Sequence, residues 1–142
     1  MKILLAVDGS RSALNAAKYA VKLLQRMAGE THHVTLVSVH DDTALRHATV
    51  FVGKAAVEDY LRELSEKDVK PARKLLDAAA IPHDMVLRTG HVAQEILACA
   101  HGGKFDLLVL GSKGRGAVAD LLMGSVAQRV LATAKQPVLL VK

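Results

Sequence analysis

The chain has 142 residues, of which 51% are hydrophobic and 23% are charged, a composition that fits one globular domain over residues 1–142 and excludes intrinsic disorder. Its net charge of +5 favours an anionic partner. With no Trp, two Tyr and two Phe, it has few rings on which bases stack, which disfavours DNA or RNA. No apolar run approaches the roughly 18 residues of a membrane helix, the start does not resemble a signal peptide, and Cys99 is the single cysteine. We therefore expect a cytoplasmic protein with no membrane partner and no disulfide.

Short apolar runs rich in β-branched residues predict five strands. Several are apolar throughout, which is typical of parallel strands covered on both faces. The predicted strands are residues 3–7, 34–39, 85–87, 107–110 and Val138–Val141.

Helical patterns lie between these runs. The first begins at Ser10, a typical N-cap, and Gly29 is placed to end it. Segment 41–56 shows no clear period, so we expect a mobile connection there. The next helical pattern contains Pro71, where we expect a kink or a fresh first turn. Ser125 and Gln128 have the spacing of a capping box and predict the start of the last helix.

Alternating strands and helices predict a doubly wound α/β sandwich. In such a sheet, ligands bind beyond the carboxyl ends of the strands, where the strand order reverses. Asp8 follows the first strand, and a glycine-bearing loop, residues 111–116, follows the fourth. If these two strands are neighbours, Asp8 and the glycine loop share one crevice.

The glycine loop has the chemistry of an anion site. Glycine lets backbone N–H groups approach an anion closely, and a helix that begins near Gly124 adds unpaired N–H groups. Lys113 and Arg115 add positive charge at the rim. Other interpretations stay open from these residues alone. The glycines suit a plain surface turn, Ser125 suits a helix cap, and Asp8 suits a catalytic, metal-associated or helix-start residue.

These residues together resemble the universal stress protein family, in its ATP-binding branch. The resemblance covers the whole chain, from the opening strand with residues 7–10 to the last strand, residues 137–141. Its most specific element is a nucleotide motif of G-x-x-G, nine residues, then G-[S/T]. The motif is complete here, as Gly111-x-x-Gly114 followed after nine residues by Gly124-Ser125.

The resemblance implies a five-stranded parallel sheet in the order 3-2-1-4-5 that binds ATP, with Mg²⁺ or Mn²⁺ carried by the phosphates. Asp8 would lie near the ribose and the ion, and Val39 would offer backbone groups to the adenine edge. Four motif residues would hold the triphosphate, namely Gly111, Gly114, Gly124 and Ser125, with Lys113 and Arg115 as further contacts. The resemblance also implies a homodimer paired through Val138–Val141.

Three functions are compatible with these residues. The first is a homodimeric stress-response module that binds an adenine nucleotide and has unknown protein partners. The second is a slow ATPase or autophosphorylating enzyme, which is disfavoured because the phosphate motif contains no His or Glu to act as general base. The third is an interaction dimer with another adenine ligand. We assign no catalytic residue, and no metal site of the protein's own, since the seven His show no zinc-type spacing.

The excess of positive charge lies near the glycine loop. Residues 100–142 contain six basic residues against Asp106 and Asp120, which is +4 of the total +5. This distribution favours a small polyanion over a nucleic acid.

Overall fold

Five strands and five helices alternate along the chain in a computed structural model that describes residues 1–27, 29–116 and 122–142. The strands are β1 (Lys2–Ala6), β2 (His33–His40), β3 (His83–Thr89), β4 (Leu107–Gly111) and β5 (Val138–Val141). The helices are α1 (Arg11–Arg26), α2 (Ala48–Val52), α3 (Lys54–Ala78), α4 (Val92–Gly102) and α5 (Ser125–Thr133), and a 3₁₀ turn spans Thr43–Leu45.

The strands form one parallel sheet in the order β3-β2-β1-β4-β5, which confirms the predicted fold. The order reverses between β1 and β4, where Leu4 pairs with Leu108. The predicted neighbours are therefore adjacent, and their carboxyl ends open at the same edge of the sheet.

Alternation along β1 divides the core into two layers. Ile3 and Leu5 pack on one face with α1 and α3, whereas Leu4 and Ala6 pack on the other face with α4 and α5. The buried face of α1 is made mostly of alanines, which allow the helix to lie close to the sheet. Its buried residues are Ala13, Ala16, Ala17, Ala20 and Leu24.

In the middle of the chain, one of the two alternatives at Pro71 was wrong, and the segment expected to be a connection contains helical turns. Helix α3 runs without interruption from Lys54 to Ala78, so no fresh first turn forms at Pro71. Pro71 lies on the exposed face, where water can hydrogen-bond the carbonyl that loses its partner. The segment 41–56 contains the 3₁₀ turn, α2 and the start of α3. It shows no period because α2 leaves its apolar side chains exposed, namely Val50, Phe51 and Val52.

No helix in the described ranges is both long and apolar enough to cross a bilayer.

Candidate functional site

A cavity of about 440 Å³ opens at the carboxyl ends of β1, β2 and β4. Its floor is apolar and includes Val37, Val39, Ile96 and Leu110. The structure brings all the predicted site residues to this one cavity, although they come from four separate stretches of the chain. They are Asp8, Val39, Gly111, Lys113, Gly114, Arg115, Gly124 and Ser125.

One wall of the cavity, the glycine wall, is formed by residues 111–116, Gly124 and the start of α5. A Cβ on Gly111 would lie 2.5 Å from Ser12 Oγ and 2.9 Å from the Ala13 nitrogen, so the strand end packs directly on α1. A Cβ on Gly114 would lie 3.2 Å from Asp8 Oδ2. The missing side chains thus let the backbone of the loop approach both α1 and Asp8.

Helix α5 begins differently from the prediction. Its N-cap is Gly124, and no side chain caps the helix, so the capping box at Ser125 was wrong. Ser125 is the first helical residue, and the Gln128 side chain donates instead to the Met123 carbonyl at 3.2 Å.

The first intrahelical hydrogen bond of α5 runs from the Gln128 N–H to the Gly124 carbonyl at 3.0 Å. The amides of residues 125–127 precede it, and those residues line the cavity. Among the described residues these amides have no partner, and a helix start with free N–H groups and the positive end of its dipole attracts anions.

Asp8 is held in a fixed orientation at the end of β1. Its Oδ1 accepts a hydrogen bond from the Ser10 N–H at 2.9 Å. Ser10 in turn caps α1, because its Oγ accepts from the Ala13 N–H at 3.1 Å, as predicted. The helix cap is therefore Ser10, and Asp8 presents its other oxygen toward Gly114.

Val39 places backbone groups toward the cavity. The Val37 carbonyl accepts from the Val7 N–H at 2.9 Å, on the β1 side of β2. Residues two apart in a strand direct their backbone groups to the same side. Since β1 has ended, the N–H and carbonyl of Val39 point past its end into the cavity.

The opposite wall, the α3 wall, contains residues that the sequence analysis missed. Asp68 of α3 has a side chain only 3% exposed, and its Oδ1 accepts a hydrogen bond from the Arg115 guanidinium. Its Oδ2 lies 3.3 Å from His40 Nε2 without hydrogen-bonding geometry. Burial raises the pKa of Asp68, against the attraction of Arg115 and His40. Asp8 lies close enough to raise it further.

A signal for Asp68 was present in the sequence. The buried residues of α3 repeat at helical spacing, and Asp68 falls on that face between Leu61, Ala72 and Leu76. An acidic residue in such a series is uncommon unless it has a partner. His40 is the last residue of β2, and its proximity to Asp68 depends on the tertiary structure.

Other candidate groups lie elsewhere. Cys99 lies on the buried face of α4, and burial raises the pKa of its thiol. Within residues 1–27, 29–116 and 122–142, no three His, Cys, Asp or Glu side chains are grouped closely enough to hold a metal ion.

The family model described as "Universal stress protein family" matches residues 1–142. The chain belongs to the universal stress protein family. A relative from Thermus aquaticus, named "Universal stress protein in QAH/OAS sulfhydrylase 3'region", is 36% identical over 141 residues. That alignment covers 99% of this chain and 97% of the relative.

Two solved structures share the fold. The Methanocaldococcus jannaschii protein MJ0577 matches with a TM-score of 0.86 and 25% identity, over 99% of this chain and 94% of the other. A universal stress protein in complex with cAMP matches with a TM-score of 0.61 and 25% identity, over 99% and 95% of the two chains. Stress-response proteins of this family thus include one that binds an adenine nucleotide in its crystal structure.

Proposed function

We propose that this protein is a cytoplasmic, homodimeric stress-response module that binds ATP in the cavity at the end of the sheet. The observation that carries the proposal is the meeting of the complete glycine motif with the uncapped start of α5. Both line the same cavity, and the N–H groups of residues 125–127 precede the first intrahelical bond. Backbone donors of this kind suit phosphate oxygens.

The adenine ring fits the apolar part of the cavity. Val37, Ile96 and Leu110 supply a floor on which a flat ring can pack. The N–H and carbonyl of Val39 form a donor–acceptor pair at the edge of that floor, and an adenine edge carries the complementary pair. Adenine recognition here therefore depends on backbone groups rather than on a side chain.

The ribose and the phosphates extend from this floor toward the glycine wall. Asp8, fixed by the Ser10 N–H, has one oxygen left for a ribose hydroxyl or for a divalent ion on the phosphates. Lys113 and Arg115 line the same side of the cavity and bring positive charge to the phosphates. The cAMP complex of a relative supports an adenine nucleotide as the ligand class.

The position of β5 at the edge of the sheet supports a homodimer that pairs through this strand. β5 lies at an edge of the sheet, and within the described residues it pairs with β4 alone. All four of its residues are apolar and half-buried. An edge of this kind is protected when a second copy extends the sheet.

Gly124→Val tests the proposed site. A Cβ there lies 3.4 Å or more from its neighbours, so the fold tolerates it, but the branched side chain occupies the approach to the α5 amides. We expect ATP affinity to fall by at least about tenfold in calorimetry, since hydrogen bonds to charged groups are worth ~1.5–3 kcal/mol.

The matched control is Gly102→Val, at an exposed glycine outside the cavity that has no atom within 4 Å of a new Cβ. It is expected to bind ATP like the unmodified protein. Equal affinities for ATP in both variants would show that the phosphates bind elsewhere. Native mass spectrometry of the same samples reports whether the protein is a dimer.

A further inference from the structure

The Asp68–Arg115 ion pair is built into the mouth of the cavity. It lies directly against Gly9, where a Cβ would come within 2.5 Å of Asp68 Oδ1 and 2.6 Å of an Arg115 nitrogen. Gly9 also has φ +78°, which favours glycine at that position. The loop between β1 and α1 therefore leaves room for the pair.

The two partners differ in exposure. The Asp68 side chain is 3% exposed, whereas the Arg115 side chain is 54% exposed and rises from the glycine loop. Asp68 Oδ2 has no hydrogen-bond donor among the described residues, although His40 Nε2 lies 3.3 Å away. A buried carboxylate with an unused oxygen calls for an explanation beyond stability, because buried ion pairs contribute little net stability.

A guanidinium binds a carboxylate and a phosphate with the same planar donors. Asp68 thus offers Arg115 an internal anion of the same kind as the proposed ligand. When Arg115 turns to a nucleotide phosphate, the Asp68 carboxylate stays buried and has no hydrogen-bond donor among the described residues, although His40 Nε2 lies 3.3 Å away. That exchange is unfavourable, and it lowers the affinity for ligands that bind Arg115.

We propose that Asp68 is a specificity-determining residue that competes with nucleotide phosphates for Arg115 and so disfavours nucleotides of higher charge. This inference rests on the proposed adenine-nucleotide site. Asp8 and Asp68 place two carboxylates at the cavity, and their repulsion grows with each phosphate that a ligand carries. The affinity for ATP is therefore lowered more than the affinity for AMP, and the affinity for adenosine is not lowered.

Asp68→Asn tests this assignment, because it keeps the shape of the side chain and removes the charge. We expect about tenfold tighter binding of ATP, about threefold tighter binding of AMP and unchanged binding of adenosine in calorimetry, since like charges mainly affect charged partners. Glu66→Gln is the matched control, as it removes a carboxylate from the exposed side of the same helix. It is expected to leave all three affinities unchanged.

The Arg115→Gln variant distinguishes competition for Arg115 from simple repulsion between Asp68 and the phosphates. Asp68→Asn is expected to tighten ATP binding in that variant by clearly less than about tenfold, because only the repulsion between the carboxylate and the phosphates is removed and no guanidinium is left to release. The double variant removes both charges, so no buried charge loses its partner. An undiminished tenfold gain in that background overturns the competition.

The outcomes separate this inference from the proposed function. If the unmodified protein binds ATP, AMP and adenosine but Asp68→Asn leaves their ratios unchanged or weakens ATP, the specificity role is wrong and the site stands. If the unmodified protein binds none of the three ligands, the proposed function is wrong and the role of Asp68 with it. Circular dichroism of each variant checks that the fold is retained.

Discussion

The two walls of the cavity are built by opposite means. The glycine wall presents backbone, and its key positions, Gly111, Gly114 and Gly124, act by lacking a side chain. The α3 wall presents charged side chains, with Asp68 buried and bonded to Arg115. The backbone donors of the glycine wall cannot change their charge. The α3 wall holds the Asp68 carboxylate, and burial raises the pKa of that group.

This difference separates affinity from selectivity. Backbone amides favour any phosphate, whichever molecule carries it, so the glycine wall recognises a chemical group. The α3 wall responds to the total charge of the ligand, because Asp68 repels anions and also binds Arg115 of the glycine wall, which attracts them. Variants of the glycine wall should therefore change binding of all phosphorylated ligands, and variants of the α3 wall should change their ranking.

The largest change in stability is expected when a single methyl group is added to the glycine wall. In Gly111→Ala the new Cβ would lie 2.5 Å from Ser12 Oγ and 2.7 Å from the Ser12 carbonyl carbon. Backbone cannot move away as a flexible side chain can, so α1 or β4 must shift. We expect a loss of about 3 kcal/mol of unfolding free energy, the upper end of overpacking costs, measured by urea denaturation.

Gly102→Ala is the control, and we expect it to change the unfolding free energy in the opposite direction. Gly102 is the last residue of α4 and has open space around a new Cβ. Alanine there is expected to raise stability by up to about 1 kcal/mol, because helical glycine costs more backbone entropy. If Gly111→Ala were as stable as Gly102→Ala, the close packing of β4 on α1 would not be the reason for this glycine.

The glycine wall was predictable from the sequence, and the α3 wall was not. Strand alternation and the glycine motif are local signals, so they led to the α/β fold, to Asp8 and to the residues of the glycine wall, whereas the sheet order followed from the resemblance to the family. Helical spacing places Asp68 on the buried face of α3, but only the tertiary structure shows that Arg115 and His40 lie beside it. The N-cap of α5 was wrongly assigned to Ser125 because a Ser with a Gln three residues later is compatible with capping, whereas Gly124 takes that position.

Asp68 is expected to have a smaller effect on stability, and this effect depends on pH. Burial raises its pKa above the ordinary 3.8, so between that pH and the raised value the folded state binds more protons than the unfolded state. Stability should therefore fall as pH rises through this window, and Asp68→Asn lacks this dependence. Relative to the variant, the unmodified protein is expected to be most stable near pH 4 and least stable above the raised pKa.

Thermal unfolding of both proteins from pH 4 to pH 8 measures this difference. Asp8, His40, Arg115 and Lys67 face Asp68 and are present in both proteins. A stability difference that does not vary with pH would show that Arg115 compensates fully for the burial of Asp68.

The smallest effect is expected at Ser12, where the glycine wall meets the last strand. Its Oγ donates to the Val141 carbonyl at 3.2 Å and accepts from the Lys113 N–H at 3.3 Å. Ser12→Ala removes both bonds, but Val141 keeps the Ser112 N–H at 2.8 Å. We expect a loss of about 1 kcal/mol in urea denaturation, the usual net value of a hydrogen bond. Asn15→Ala, which loses one exposed bond to the Lys142 carbonyl, should cost less.

Combining Ser12→Ala with Gly111→Ala tests whether the glycine wall depends on backbone contacts or on a side chain. Removing Oγ relieves the contact at 2.5 Å, but the Ser12 carbonyl carbon at 2.7 Å is backbone and stays in place. The double variant should therefore recover only part of the stability that Gly111→Ala loses, which a double-mutant cycle measures. Complete recovery would mean that the glycine is required by one side chain, and the glycine wall would then depend on side chains as the α3 wall does.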